Sequence, residues 1–205
     1  YLARLGWSHG DQEVFSREEL AQHFTLKDVG KSAGIFDIKK LEWLNGVHLR
    51  RTPAKDLLER IAEMDELLQL QMRDAWTGKQ LELLVELYRE RATTLQDIVK
   101  PIVALAKAPE KLDLKLIQKW NVPEMSQVVK EFLDRFVEQD GGVAANLLDL
   151  AKEICADQEV KLVVLAQALR LAITGGIQSP GIFELISLMK LESVQIRIER
   201  LLDIL

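Results

Sequence analysis

Histidine and cysteine are the residue types best suited to acid–base, nucleophilic or metal chemistry, and here their spacing argues against it. His9, His23 and His48 are scattered, with none at the four-residue spacing of a helical metal pair. Each reads as a surface or partly buried polar residue. Cys155 has no basic neighbour closer than Lys152, and an apolar helix end leaves such a thiol inert. Gly175-Gly176 lacks the preceding strand and the lysine of a phosphate-cradling loop. Carboxylates are plentiful, but they belong to charge-paired, solvated helix faces. No catalytic residue and no metal ligand is assigned.

Two clusters suit binding instead. The first lies within Phe36–Arg50, where Lys40 and Trp43 fall on adjacent turns of a helix beginning at Asp37 and ending at Asn45-Gly46. Composition alone reads it as a core indole with snorkelling lysines. The other reading is a lysine, an exposed indole and a nearby arginine gripping a sugar–phosphate backbone. The second cluster is Arg170 with the helix start at Ser179-Pro180-Gly181-Ile182-Phe183. Arg170 is the only charge between Lys161 and Glu184. It either neutralises a helix C-terminus or projects five fixed donors beside free amides and the Phe183 ring, a combination that suits an unstacked RNA base.

The elements that must position these groups are helical. Leu57, Ile61, Met64, Leu68 and Met72 form one stripe, Val129, Phe132 and Phe136 another, and Val194, Ile198, Leu201 and Leu205 a third. Ser16–Glu19 and Asn121–Glu124 have the spacing of capping boxes, and Thr52-Pro53 predicts an N-cap with proline opening the helix. Asp56 with Arg60 and Glu131 with Arg135 are ion pairs of solvated faces. Strand signals are poor, since alternation never runs beyond a few residues and β-branched clusters are isolated, so the expected class is all-α with about nine to eleven helices. Residues 107–114, with Pro109, are the expected hinge between two bundles, and Thr174–Gly181 is the most strongly punctuated loop.

The 205 residues, 48% hydrophobic and 29% charged, suffice for a core without disulfides or structural zinc. A single cysteine fits a reducing compartment, and no secretion signal is evident. The most apolar run, Leu162–Leu169, is far too short to cross a bilayer. A net charge of −5 argues against non-specific coating of nucleic acid, so any polyanion must be held by a few placed residues. The first methionine is Met64, and Tyr1–Trp7 reads as the end of a helix already in progress, as expected of a piece of a longer protein.

Four ordered segments carry a resemblance: Tyr1–Phe15, Phe36–Gly46, Ala168–Gly175 and Ser179–Glu184. Together they resemble the C-terminal half of bacterial glutamyl-tRNA synthetases, with compatible spacing along the whole chain. The resemblance implies helical bundle domains and the anticodon-binding superhelical architecture of a class I synthetase. It divides the chain into a stem-contact region (1–52) and two anticodon-binding subdomains (53–108 and 109–205). The catalytic domain of the family, with its ATP and Mg, lies upstream; neither signature motif of that domain occurs here. This piece is therefore expected to hold no cofactor and to be inactive alone, while the parent charges tRNA(Glu) with glutamate. The implied partner is tRNA(Glu), with no DNA and no membrane, for a cytoplasmic monomer.

By the same resemblance, Arg91 matches the arginine that reads the third anticodon base in discriminating members. Sequence alone reads Tyr88, Arg89 and Arg91 equally well as a solvated basic helix end. The chemistry fits cytosine, whose pairing edge offers two adjacent acceptors to an arginine fork; guanine would set donors against it. Arg170 matches a residue near the first anticodon base, with Ile182 beside it, and Ser179, Pro180 and Phe183 match the group around the middle uracil. Phe183 is expected to stack on a base. Ser179 stands where threonine is common and Ile182 where leucine occurs. Lys40, Trp43, Asn45 and Arg50 match the stem-contact segment. Two other readings stand beside this one. A helical protein–protein scaffold is disfavoured by the lack of an internal repeat, and a paralogue mischarging tRNA(Gln) is disfavoured by Arg91.

Overall fold

The computed structural model describes residues 1–30, 34–64, 66–113, 115, 116, 118 and 122–205, with residues 66–68 described by backbone alone. Among them there are eleven α-helices and no strand. An N-terminal module holds a short 3-10 turn, Leu2–Leu5, and α1 (Arg17–His23). Ser16 and Glu19 cap α1 reciprocally, as their spacing predicts. The chain then enters α2 (Ile38–Arg51), whose N-cap Asp37 accepts from the Lys40 N–H.

Next come α3 (Ala54–Met64), α4 (Glu66–Ala75), α5 (Gly78–Arg89) and α6 (Gln96–Leu105). The second half holds α7 (Met125–Glu138), α8 (Ala144–Asp157), α9 (Leu162–Thr174), α10 (Ile182–Leu188) and α11 (Leu191–Leu202). Apolar stripes bury where the periodicity places them: Leu57, Ile61 and Met72; Val129, Phe132 and Phe136; Val194, Ile198 and Leu201. One hydrophobic cluster runs without a break from Leu49 to Leu201.

Arg197 crosses this core. It is 2% exposed, and its Nη1 and Nη2 donate at 2.6 Å to the carbonyls of Ile173 and Leu105, near the C-termini of α9 and α6. A cation placed among the unpaired carbonyls of two helix ends satisfies both and opposes both dipoles. The connection expected as a hinge is accordingly pinned where it begins. Arg200 adds a bond to the Pro109 carbonyl, and a Cβ on Gly175 would meet Pro109 at 3.2 Å. Gly175 also takes a φ of +73°, the left-handed conformation that closes α9.

Four local expectations are corrected. Gly46 does not end α2, because it is buried in mid-helix, where its missing Cβ lets the Ala92 carbonyl approach to within 3.0 Å of that position. Thr52 closes α2, its hydroxyl donating to the His48 carbonyl at 2.8 Å. Met64 is exposed at the end of α3, so the first stripe loses one member. Tyr1–Trp7, expected as the end of a helix, holds the short 3-10 helix Leu2–Leu5. Glu131 and Arg135 stand at 3.9 Å, whereas Asp56 and Arg60 make no ion pair within 4.0 Å. Asn121 and the Leu68 side chain lie outside the described residues.

Candidate functional site

Helix α5 ends at Arg89, and the chain makes a tight turn in which the Arg91 N–H donates to Tyr88 and the Ala92 N–H to Arg89. Ala92, 1% exposed, plugs the turn into the core and leaves Arg91 exposed at its crest. Asp97 organises the descending side. Its Oδ2 accepts from the N–H groups of Thr93 and Thr94 and from the Thr93 hydroxyl, at 3.0, 2.8 and 3.0 Å. Burial pushes the Asp97 carboxyl up, but those bonds together outweigh it and hold the group below the ordinary carboxylate range.

The second arginine comes from the other half of the chain. Arg170 sits in the penultimate turn of α9, and the left-handed Gly175 reverses the chain so that loop 175–181 returns alongside it. Thr174 braces the reversal by donating to the Arg170 carbonyl and accepting from the Gly176 N–H. The loop delivers Ser179, 9% exposed, to both arginines. Arg91 Nη1 donates to the Ser179 carbonyl at 2.9 Å, and Arg170 Nε donates to the Ser179 hydroxyl at 2.8 Å. Sequence reasoning selected all three residues, and the structure brings them together.

Two guanidinium groups thus share one serine, and neither makes a salt bridge among the described residues. Burial, and then the charge of Arg91, lower the Arg170 pKa from its ordinary value. An arginine nevertheless stays protonated in a protein. Nη1 and Nη2 of Arg170, with Nε and Nη2 of Arg91, have no partner among the described residues. The arrangement presents fixed donors on uncompensated positive charge, which suits phosphate oxygens or the acceptor edge of a base.

The expected aromatic shelf is corrected. Phe183 is 8% exposed, with its ring centroid 6.3 Å from that of Phe132, so it belongs to the core. A ring enclosed in this way offers no face to a base. Ile182 and Pro180 are buried as well, and with Phe183 they anchor the loop from beneath while Ser179 faces the arginines. A Ser-Pro-Gly-Ile-Phe helix start has the same apolar pattern whether its ring points inward or outward, so the pattern did not decide.

The N-terminal set is spread along α2. Trp43 is 47% exposed, which removes the core-indole reading. Lys40 pairs with Glu13 at 2.8 Å, and Arg4 pairs with the same carboxylate at 2.9 Å. Hydrogen bonds from Lys40 and then Arg4 hold the Glu13 carboxyl below its ordinary range. Arg50 lies beside Gly46. Asn45 is exposed, and its Nδ2 donates to the Thr93 carbonyl at 2.6 Å. That contact and the Asp97 cap were missed, although Thr94 and Asp97 have a readable capping spacing. Also unforeseen is the stacking of His9 on His23, centroids 4.2 Å apart, beside buried Trp7.

No group of three or more His, Cys, Asp or Glu among the described residues could hold a metal ion. Gly175-Gly176 closes a helix where a nucleotide loop would open one, so these residues do not fit Mg-ATP. None of the described helices is long and apolar enough to cross a membrane.

Comparisons with known proteins bear on this geometry. The chain is 34% identical to a glutamate–tRNA ligase of Trichlorobacter lovleyi over 207 aligned positions, covering 98% of the chain and 42% of that protein. It is 31% identical to the glutamate–tRNA ligase of Geotalea uraniireducens, covering 98% and 43%. The chain therefore spans less than half the length of these curated relatives. A crystal structure of a glutamate tRNA ligase from Elizabethkingia meningosepticum superposes with a TM-score of 0.84, over 97% of the chain and 39% of that protein, at 22% identity; this shows the shared all-helical fold. The family described as the anticodon binding domain matches residues 54–202, a span that holds both arginines and their serine, and the chain belongs to that family.

Proposed function

We propose that this chain reads the anticodon of tRNA(Glu) as part of a glutamate–tRNA ligase. The observation that carries the reading is the convergence of Arg91 and Arg170 on Ser179, which leaves fork donors on both guanidinium groups open. Arg91 takes the pairing edge of a third-position cytosine, whose two acceptors match its fork, and rejects the guanine of the glutamine anticodon. Arg170 serves the first anticodon base. Ser179 holds both forks in place, and buried Pro180, Ile182 and Phe183 fix the loop that carries it. Lys40, Trp43, Asn45 and Arg50 supply positioning contacts to the stem, with residues 1–52 as the stem-contact region and 53–108 and 109–205 as the two anticodon-binding subdomains. The ligase reaction, with its ATP and Mg, belongs to the rest of a longer cytoplasmic, monomeric parent, and this part alone does not aminoacylate.

A filter-binding titration of the chain against tRNA(Glu), with tRNA(Gln) as competitor, tests the reading. Saturable binding that tRNA(Gln) competes poorly is the expected result. Equal competition, or no binding at concentrations where the chain remains monodisperse, overturns it.

A further inference from the structure

The turn that carries Arg91 is gripped from two sides. On its descending side, Asp97 takes three donors from Thr93 and Thr94. On its other side, α2 presses against it. The missing side chain of Gly46 brings the α2 backbone close to the Ala92 carbonyl and the Thr93 Cα, within 3.0 and 3.6 Å of where a Cβ would stand. One residue earlier, the Asn45 amide donates to the Thr93 carbonyl at 2.6 Å. Ala92 and Thr93 directly follow Arg91, so whatever fixes their carbonyls fixes where the Arg91 side chain leaves the backbone, while the Ser179 carbonyl holds its far end.

We infer that Asn45 is a positioning residue for Arg91, seated by the Gly46 contact, and that helix α2 thereby sets how sharply the third anticodon base is read. The inference rests on the proposed reading of Arg91. Asn45 acts on Arg91 through Thr93, because one hydrogen of its Nδ2 is committed to the Thr93 carbonyl. The consequence is a mechanical link between the stem-contact helix and base selection. A helix displaced by a poorly fitting stem carries the turn with it and withdraws Arg91 from its place above Ser179. The scale of misplacement that matters is small, because a fork contact depends on alignment at the ångström level.

The test uses the full chain and two RNA hairpins: the tRNA(Glu) anticodon stem-loop, and the same hairpin with its third anticodon base changed from C to G. Fluorescence anisotropy gives the affinity ratio. Loss of stability reduces the competent fraction for both hairpins by the same factor and leaves that ratio alone. A wild-type ratio of roughly tenfold or more is the scale of a bidentate arginine contact. Asn45→Leu, which keeps the shape and removes the donor, is expected to lower it to about twofold. Gly46→Ala, whose methyl pushes on the Ala92 carbonyl, is expected to lower it as well. In an Arg91→Gln background neither change should lower the ratio further. A ratio undiminished in Asn45→Leu, whatever Gly46→Ala does, or changes that add to Arg91→Gln, overturns the positioning role while leaving the anticodon reading intact. A wild-type ratio of one overturns the anticodon reading itself, and the inference falls with it.

Discussion

Arg91 and Arg170 approach the same serine from different halves of the chain, one bonding its carbonyl at 2.9 Å and the other its hydroxyl at 2.8 Å. Two like charges held this way repel each other, and the arrangement persists because each guanidinium gains a fixed acceptor. Their remaining donors are aligned before any ligand arrives, which lowers the ordering cost of binding.

The two bonds are separable by mutation. Arg91→Gln removes the fork and is expected to abolish the preference for a third-position cytosine, a loss of about 1–3 kcal/mol in discrimination. Ser179→Ala leaves the carbonyl that holds Arg91 but deletes the acceptor of Arg170. It should weaken binding to both hairpins by about 1–2 kcal/mol and keep the third-base ratio. Anisotropy titrations of both variants check the pair. A ratio unchanged in Arg91→Gln sinks the assignment of that arginine.

Phe183 behaves as a core residue in this structure, packed against Phe132. Phe183→Ala should therefore cost about 3–5 kcal/mol of folding stability, read by urea denaturation. Phe183→Leu should restore most of that stability and leave hairpin affinity near wild type. Selective loss of RNA binding at unaltered stability would return the ring to a stacking role.

Arg197 offers the sharpest test of the core. Arg197→Met keeps the aliphatic stem but strands the Leu105 and Ile173 carbonyls near two helix ends. Removing a buried charge recovers its desolvation cost, yet two buried acceptors lose charge-assisted donors. The loss should win, by about 2–3 kcal/mol in urea denaturation. A variant as stable as wild type would show that α6 and α9 close without the clamp.

The Asp97 cap predicts a pH dependence with a definite sign. Its carboxyl is held below the ordinary range in the folded chain, so the stability it adds is fully present above about pH 4, the unfolded value, and is lost as pH falls through that range. Asp97→Asn should flatten the acid limb of a stability profile taken from about pH 6 to about pH 3. An acid limb as steep as wild type places the acid-sensitive groups elsewhere.

The eleven described helices were legible because a stripe of apolar residues every three to four positions has one stable solution, burial on a single face. Arg170 was legible as a lone charge in an apolar run, whereas Arg91 was singled out by the family resemblance, its own pattern reading equally well as a solvated basic helix end. Boundaries were less so. Gly46 reads as a helix stop by propensity, yet tertiary packing against Ala92 overrides it.

What no local pattern contains is which separated segments meet. Ser179 joins Arg91 to Arg170 only because loop 175–181 folds back across the end of α5, and Asn45 finds Thr93 only because α2 docks there. The side to which Phe183 turns was likewise decided by tertiary packing, which sets its ring against Phe132. Residue order determined the helices and their chemistry; the packing of distant segments decided which of those groups share a surface.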